Sequence, residues 1–217
     1  MHIEQPPTTP QKPTIPNIAV PTKPSPPPRP PRSDKSVKRY FPNDFVYRGE
    51  LRKGKRHGQG TSWFARNVYQ GEYLNNKPHG QGTHWNADGV YQGEYLNGKP
   101  HGQGTLWLAD GFVYSGGWQD GKPHGQGVNW FTNGYTYQGE YLNGKYHGQG
   151  IIRIANGTVY RGEFQNVKPH GQGEQWNTDG SVYQGEYLKG KYHEQGTLWL
   201  ANGEIQCGKW KKGRFIG

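Results

Sequence analysis

The sequence contains one cysteine and one methionine among its 217 residues, and only 30% of its residues are hydrophobic. A single cysteine, Cys207, cannot form an intramolecular disulfide, which favours a reducing, intracellular compartment. No stretch approaches the roughly 20 apolar residues of a membrane-spanning helix. The first residues also lack the basic start and apolar run of a secretory signal. The 35 glycines, which are costly inside helices, exclude a coiled coil.

Proline and glycine divide the chain into two parts. Residues 1–46 hold 13 of the 17 prolines and no glycine, whereas residues 47–217 hold every glycine and every tryptophan. A proline-rich segment with few large apolar side chains buries too little surface to fold by itself. We therefore predict a disordered, extended arm over residues 1–46 and a folded body over residues 47–217.

The net charge of +10 is concentrated at the ends of the body and on the arm. Residues 47–68 have six basic residues against one acidic residue, and residues 205–217 have four basic residues and no acidic one. The middle of the body is slightly acidic, which argues against a continuous nucleic-acid site. The basic ends predict either solubilising charge or, as an alternative function, peripheral binding to anionic phospholipid. The residues concerned are Arg52, Lys53, Lys55, Arg56, Lys209, Lys211, Lys212 and Arg214.

The body is a tandem repeat of 22 or 23 residues. The tetrapeptide His-Gly-Gln-Gly begins at six histidines, and His193 begins a variant in which Glu194 replaces glycine. A Tyr-x-Gly start recurs with the same spacing from Tyr47 to Tyr183, and a degenerate eighth start falls at Gln206. The sequence thus contains seven repeats and a partial eighth, which is typical of repeat architectures and their capping units.

One repeat has the pattern of a β-hairpin. Residues 91–96 alternate as a strand, residues 97–102 have loop chemistry that begins with Asn-Gly, and residues 103–108 form a second strand. Asp110-Gly111 is then a tight turn into the next repeat. A glycine recurs between the two aromatic positions of the first strand, and it predicts a gap in which a neighbouring ring can lie.

Large aromatic rings at fixed positions of each repeat predict a thin core that doubles as a binding groove. The sequence does not fix which face of the second strand carries Trp107, because the glycines there can form a bulge. We predict that a helical or extended segment of a protein partner binds along this groove. Its predicted residues are Tyr91, Tyr95, Trp107, Tyr114, Trp118, Trp130, Tyr137, Tyr141, Tyr160, Phe164 and Trp176.

These motifs resemble the MORN (membrane occupation and recognition nexus) repeat family. The family pattern is Tyr-x-Gly-Glu-aromatic-x-x-Gly-Lys-x-His-Gly-x-Gly, and units 91–104 and 137–150 match it throughout. Gly117 in place of Glu, Val167 in place of Gly and Glu194 in place of Gly depart from it. The resemblance implies an all-β fold: an elongated, curved, single-layer antiparallel sheet of tandem hairpins. It also implies a non-enzymatic scaffold in the cytoplasm, at cytoskeletal, ciliary or membrane-associated assemblies.

Other chemistry receives little support. Equivalent side chains on successive hairpins lie about 10 Å apart, so the repeated histidines cannot share a metal ion, and we expect them to be turn residues that bond the backbone. The repeated glutamates are expected to form structural hydrogen bonds to neighbouring turns. We predict no cofactor and no catalytic residue. In the arm, Pro27, Pro30 and Arg32 fit the Pro-x-x-Pro-x-Arg form of an SH3 ligand, with a solvated spacer as the competing interpretation.

Three further hypotheses complete the predictions. MORN repeats accompany catalytic domains in some lipid kinases and lysine methyltransferases, but the residues of this chain are taken up by the repeats and the arm. A second hypothesis is a secreted aromatic repeat of the choline-binding type. It is disfavoured because His-Gly-Gln-Gly recurs at a fixed position of each repeat, as in MORN repeats, and because no signal peptide is seen. The exposed edges at both ends of such a sheet make self-association into a homo-oligomer a third hypothesis.

Overall fold

The structure is a computed structural model that describes residues 7–14, 17–29, 38–40 and 45–217. Within these residues it consists of antiparallel strands joined by turns and contains no helix. The tandem-hairpin, all-β fold predicted from the repeat is therefore confirmed. The chain forms two compact units, one of Val20–Thr132 and one of Met1–Ala19 together with Asn133–Gly217. No helix in the described part of the chain is long and apolar enough to cross a membrane.

In the described part of the first unit, nine strands form an antiparallel sheet in which each strand pairs with its neighbours in sequence. Every hairpin of the predicted repeat is present. The strands are β1 (Lys38–Tyr40), β2 (Phe45–Arg52), β3 (Lys55–Phe64), β4 (Asn67–Leu74), β5 (Lys77–Trp85), β6 (Gly89–Leu96), β7 (Lys99–Leu108), β8 (Val113–Gln119) and β9 (Lys122–Trp130).

The second unit repeats the same pairing with eight strands. The degenerate eighth repeat forms strand β16, which closes on a two-residue strand at the C-terminus. The strands are β10 (Thr136–Leu142), β11 (Lys145–Arg153), β12 (Val159–Gln165), β13 (Lys168–Trp176), β14 (Val182–Leu188), β15 (Lys191–Trp199), β16 (Ile205–Lys211) and β17 (Arg214–Phe215).

The turn inside each hairpin is shorter than the sequence suggested. Asn97 and Gly98 both have positive φ, at 53° and 87°, which is the geometry of a two-residue type I′ turn. Strand β7 then begins at Lys99, so Pro100, His101 and Gly102 lie in the strand. The prediction of a six-residue loop over residues 97–102 was wrong, because a type I′ turn reverses the chain within two residues and pairing resumes at once.

The glycines of adjacent strands face each other across the sheet. Gly93 pairs with Gly104, and the register shifts between Gly93 and Glu94. A Cβ on Gly104 would overlap the hydroxyl of Tyr91, so the tyrosine ring lies directly over the glycine backbone. The ring was expected over the first-strand glycine, but it lies over the glycine of the facing strand, and a Cβ on Gly93 would first meet the main chain of Gln103 and Gly104. Equivalent tyrosines cover equivalent second-strand glycines in the other repeats.

Among the described residues of the arm, 38–40 form β1 and Phe45 and Val46 begin β2, whereas 7–14 and 17–29 form neither helix nor strand. Their exposure nevertheless follows a pattern: Pro21, Pro24 and Pro27 are half-buried, while the residues between them are exposed. In the second unit, Pro10 and Pro13 are half-buried in the same way. A period of three residues is that of a polyproline II helix, in which one residue per turn faces a supporting surface.

Candidate functional site

The strand register places the aromatic residues on two opposite faces of the sheet. Tyr91 lies opposite Leu106, whereas Val90 lies opposite Trp107. Since neighbouring residues of a strand point to opposite faces, Tyr91 and Trp107 are on different sides. We call the two sides the tyrosine face and the tryptophan face. The tryptophan face carries Trp63, Trp85, Trp107 and Trp130 in the first unit and Trp176 and Trp199 in the second.

The tyrosine face is a continuous core of edge-to-face rings. In the first unit, the Tyr91 ring centroid lies 5.1 Å from that of Tyr95 and 5.0 Å from that of Trp118, with interplanar angles of 87° and 85°. The second unit repeats this geometry between Tyr160 and Phe164, at 5.1 Å and 88°. Perpendicular rings at this distance are a favourable arrangement of aromatic side chains. This face is therefore packed by its own side chains.

The hydroxyl of the first tyrosine of each repeat is satisfied within the sheet. The hydroxyl of Tyr91 donates to the main-chain oxygen of Glu94 at 3.1 Å, and Tyr114 donates to the oxygen of Gly117 at 2.8 Å. Burial raises the pKa of Tyr91 and of Tyr95 above the ordinary value. These hydroxyls are therefore harder to ionise at alkaline pH than those of an unfolded chain.

The tryptophan face alternates indoles with valines. Val90 lies between Trp85 and Trp107 in the register of β5, β6 and β7, and all three side chains are buried. In the second unit, Val159, Trp176, Val182 and Trp199 form one buried cluster. A single-layer sheet cannot bury this second face with its own strands, so other residues must cover it.

The arm covers the tryptophan face of the first unit. The indole Nε1 of Trp107 donates to the main-chain oxygen of Pro21 at 2.7 Å. Trp85 donates to the oxygen of Pro24 at 2.8 Å, and Trp63 donates to that of Pro27 at 3.4 Å. Each step of one hairpin along the sheet corresponds to three residues of the arm. The arm thus runs antiparallel to the order of the hairpins.

The second unit shows the same contact with a different stretch of the arm. Trp176 donates to the main-chain oxygen of Pro10 at 3.1 Å, and Trp199 donates to that of Pro7 at 2.9 Å. The step is again three residues per hairpin, in the same direction. In addition, the ammonium of Lys12 donates to the main-chain oxygen of Gly157 at 3.3 Å. Two independent stretches of the arm therefore use one mode of contact.

The repeat lengths of the sheet and the arm explain this register. A hairpin advances the sheet by two strand spacings, or about 9.4–9.8 Å. One turn of a polyproline II helix advances three residues, or about 9.3 Å. One carbonyl per turn therefore meets one indole per hairpin. The sequence contains a signal for this contact that the MORN motifs do not reveal. Prolines recur at every third residue of the arm: Pro7, Pro10, Pro13 and Pro16, then Pro21, Pro24, Pro27 and Pro30.

The fifth repeat interrupts the row of indoles. Arg153 occupies the position of the tryptophan, as its pairing with Val159 shows, and its side chain is exposed. By the three-residue step from Pro10, the arm residue that faces this repeat is Pro13, which is half-buried. The contact surface continues here without an indole donor.

The structure divides the eleven residues of the predicted groove between the two faces. Trp107, Trp130 and Trp176 lie on the tryptophan face. The rings of the other eight lie on the tyrosine face, packed against one another: Tyr91, Tyr95, Tyr114, Trp118, Tyr137, Tyr141, Tyr160 and Phe164. The single aromatic groove expected from the sequence is therefore two surfaces, one of them a closed core.

Trp118 illustrates how the two faces differ. Its indole Nε1 donates to the main-chain oxygen of Gly104 within the sheet, at 3.0 Å. Trp210 of the eighth repeat donates in the same way to Gly196. On the tryptophan face, the indoles of Trp63, Trp85, Trp107, Trp176 and Trp199 instead donate to the arm. The two kinds of tryptophan provide matched controls for each other.

The repeated glutamates have the structural role expected of them. The Glu94 carboxylate accepts a hydrogen bond from the main-chain nitrogen of Gln103 at 2.8 Å, and four further repeats form the same bond at 2.9–3.0 Å. Gly102 has a φ of 58°, and a Cβ there would contact this carboxylate. The bond and the glycine together explain the Glu and Gly of the motif.

The repeated histidines lie in strands, so the expectation that they are turn residues was wrong. His101 pairs with Glu94 in the register of β6 and β7, because the turn ends two residues before it. For His57, His79 and His124, the buried Nδ1 has no hydrogen-bond partner among the described residues. Within the same part of the chain, no three His, Cys, Asp or Glu side chains form a group that could hold a metal ion.

The basic residues proposed for lipid binding have unequal surroundings. Arg56 is half-buried: its guanidinium lies 5.0 Å from the ring centroid of Tyr73 and donates to the main-chain oxygen of Asn76 at 2.7 Å. It therefore serves the packing of the first hairpins. The other seven are exposed: Arg52, Lys53, Lys55, Lys209, Lys211, Lys212 and Arg214.

Of the predicted SH3 ligand, only Pro27 can be placed. Its carbonyl accepts the hydrogen bond from Trp63, whereas Pro30 and Arg32 lie outside the described residues. Cys207 is a free, exposed thiol whose sulfur accepts a hydrogen bond from the Thr197 hydroxyl at 3.3 Å.

Several solved structures are similar to this chain in part. The TCP domain of Drosophila melanogaster SAS-4, solved in complex with a proline-rich motif of Ana2, shares 14% identity over 86% of this chain and 98% of its own, with a TM-score of 0.44. The TCP10c domain of Drosophila melanogaster Sas-4 shares 11% identity over 70% of this chain and 93% of its own, with a TM-score of 0.40. The TCP10 domain of Danio rerio CPAP, in complex with a STIL peptide, shares 13% identity over 81% of this chain and 98% of its own, with a TM-score of 0.26.

No curated protein matches the sequence. The sequence model of the MORN repeat family does, in seven consecutive segments that agree with the hairpins described above: residues 47–67, 69–90, 91–113, 114–134, 137–159, 160–182 and 183–205. These segments cover most of the chain, and the chain therefore belongs to the MORN repeat family.

Proposed function

We propose that this chain is a non-enzymatic scaffold that binds a segment of a protein partner along the tryptophan face. The observation that supports this most directly is the row of indole N–H groups, each of which donates to a main-chain carbonyl of an extended chain. A row of main-chain contacts at regular spacing is a general way of holding an extended polypeptide.

The tyrosine face is a poorer candidate for this role. Its rings are buried by one another, and the first tyrosine of each repeat bonds the main chain of its own hairpin. The tryptophans are equally buried, but the residues that cover them belong to the arm. A partner that displaces the arm can therefore contact the tryptophans, which are frequent anchors at interfaces.

Proximity labelling in the native cell tests this function. Three forms of the full chain would be compared: the wild type, the double variant Trp85→Phe/Trp107→Phe, and the control variant Trp118→Phe. The phenylalanines keep a large ring but remove the N–H donor. We expect a specific protein to be labelled less by the double variant and equally by the control. Equal labelling by all three forms would exclude the tryptophan face as the partner site.

Binding to anionic lipid and a location at cytoskeletal or ciliary assemblies stay predictions. The engagement of Arg56 with Tyr73 and Asn76 removes one cation from the predicted lipid site. No contact of the other seven basic residues favours a lipid ligand over water.

A further inference from the structure

We propose that the tryptophan face recognises a polyproline II segment with proline at every third residue, and that the arm occupies this site as an internal ligand. This inference rests on the proposed function and names the chemistry of the partner. The partner is a protein segment with the repeat Pro-x-x-Pro-x-x-Pro. It must displace the arm to bind.

The first argument is the agreement of period. The three contacts of the first unit fall at Pro21, Pro24 and Pro27, and the two of the second unit at Pro7 and Pro10. A β-strand would present a carbonyl to the same face at every second residue, and an α-helix keeps its carbonyls bonded internally. Only an extended chain with three residues per turn matches both the hairpin spacing and the observed step.

The second argument is the chemistry of the acceptor. A proline ring fixes φ near −65° and removes the backbone N–H, so the residue carries an acceptor and no donor. The tryptophan face offers indole donors and apolar valine surface. Proline satisfies both, because its ring packs on the apolar surface and its carbonyl accepts the indole proton. A segment of another composition would bring N–H groups that this row of donors cannot satisfy.

The third argument is that the residues between the prolines are free to vary. Thr22, Lys23, Ser25 and Pro26 of the arm are exposed. An open cavity of about 360 Å³ lies beside Pro24, and Lys23, Ser25, Arg66 and Trp85 are among the residues that line it. The arm therefore leaves space at the positions between its contacts, and a partner can carry larger side chains there.

The internal position of the arm implies competition. A tethered ligand is present at a high effective concentration, so a partner that binds from solution must exceed it in affinity or in the number of repeats. Weakening the arm without changing the tryptophan face should therefore strengthen binding from solution.

Titration of the full chain with a synthetic peptide tests the proposal. The probe is a 15-residue peptide of five Thr-Lys-Pro units, and its control has the same composition with the prolines at irregular spacing. Binding is followed through the ¹H–¹⁵N signals of the indole Nε1 groups. A second form of the chain carries Pro21→Gly, Pro24→Gly and Pro27→Gly, and circular dichroism verifies that its sheet is intact.

The expected result has three parts. The periodic peptide shifts the indole signals of Trp63, Trp85 and Trp107 but not that of Trp118. The irregular peptide binds at least ten-fold more weakly. The chain with the glycine substitutions binds the periodic peptide at least ten-fold more tightly than the wild type does.

Two results would overturn the proposal. If both peptides bind with equal affinity and shift the signals of the tryptophan face, the face does not recognise proline at every third residue, although the proposed scaffold function is retained. A lack of binding to both forms of the chain would remove polyproline recognition, and proximity labelling would then decide separately whether the face binds a protein at all.

Discussion

The indole Nε1 of Trp107 and the main-chain oxygen of Pro21 are 2.7 Å apart, although 86 positions separate the two residues in the chain. The bond joins a proline-rich segment to a sheet that would otherwise leave a row of apolar side chains uncovered. Equivalent bonds recur at every third residue of the arm and at every hairpin of the sheet. The arm is therefore a part of the folded protein's packing as well as a candidate regulator of its binding.

Removing this donor should loosen the arm locally. In Trp107→Phe the ring is kept and one hydrogen bond is lost, which is worth about 1 kcal/mol. We expect faster solvent exchange of the indole protons of Trp85 and Trp63, measured by ¹H–¹⁵N NMR, with little change in circular dichroism. Trp118→Phe is the matched control, since its indole bonds Gly104. If both substitutions accelerate exchange equally, the bond to Pro21 does not hold the arm.

Restoring the missing indole should tighten the arm on the second unit. In Arg153→Trp the exposed arginine of the fifth repeat becomes a tryptophan that faces Pro13. The new side chain buries apolar area and supplies a donor, and we expect an increase of about 1–2 kcal/mol in the free energy of unfolding. Urea denaturation measures it. Arg161→Trp, in the next strand and also exposed, is the control, and a gain there of the same size would show a nonspecific effect.

The close approach of a tyrosine ring to a glycine predicts a steric effect. In Gly104→Ala the new methyl group would overlap the hydroxyl of Tyr91. Overpacking of this kind costs about 1–3 kcal/mol, and thermal unfolding should shift to lower temperature. Gln92→Ala, at an exposed neighbouring position of β6, should have little effect. An unchanged melting temperature in Gly104→Ala would mean that the ring moves away without cost.

A strained turn offers a stabilising substitution. Val167 has a φ of 74° in the turn of the sixth repeat, and the equivalent position in the third repeat is Gly98. A β-branched residue is disfavoured in this conformation by about 1–2 kcal/mol. We expect Val167→Gly to raise the free energy of unfolding, measured in urea, by about that amount. Asn76→Gly, at the equivalent turn of the second repeat, should give a smaller gain because asparagine tolerates positive φ.

The buried tyrosines predict unfolding at alkaline pH. Burial raises the pKa of Tyr91, Tyr160 and Tyr187 above their ordinary value of 10 in the folded chain. Below that value the hydroxyls are neutral in both states, and the fold keeps its full stability. Above it the unfolded chain loses protons that the folded chain retains, so stability falls as the pH rises.

Circular dichroism and tyrosinate absorbance measure this transition together. We expect the sheet signal to fall and the tyrosines to ionise over the same pH range, above about pH 10, because hydroxyls that stay protonated in the sheet lose their protons once the chain unfolds. Ionisation of most tyrosines near pH 10 with an intact sheet would show that the tyrosine face is open to solvent.

The repeat made much of the fold predictable. Asn97-Gly98 marked the place where the chain reverses, although not that the turn is only two residues long, and the spacing of Tyr91, Gly93 and Tyr95 specified one face of a strand. The role of Glu94 could also be inferred, because a repeated carboxylate beside a turn most often bonds the backbone. These features depend on residues that are close in sequence, and the pattern is clear because it recurs in seven repeats.

The location of the site was harder to predict. The partner of Trp107 depends on the irregularity between Gly93 and Glu94. There β7 has two extra residues, Gly102 and Gln103, and the register shifts so that Trp107 pairs with Val90. The contact with Pro21 uses a main-chain carbonyl, and every residue has one. Only the spacing of the prolines distinguishes the acceptors. That spacing becomes informative once it is compared with the distance between hairpins.

The commensurate periods constrain how such a protein can change in length. An in-frame duplication of one hairpin adds one indole to the tryptophan face, and the arm can follow by gaining three residues, which are three codons. A duplication in the sheet alone leaves an indole that the arm does not cover. A duplication in the arm alone leaves a turn of the arm without an indole donor. Insertion of one or two residues within either stretch of the arm moves the carbonyls beyond it in that stretch off their indoles. Within each stretch, the sheet and the arm must therefore grow in matched steps, one hairpin for every three residues.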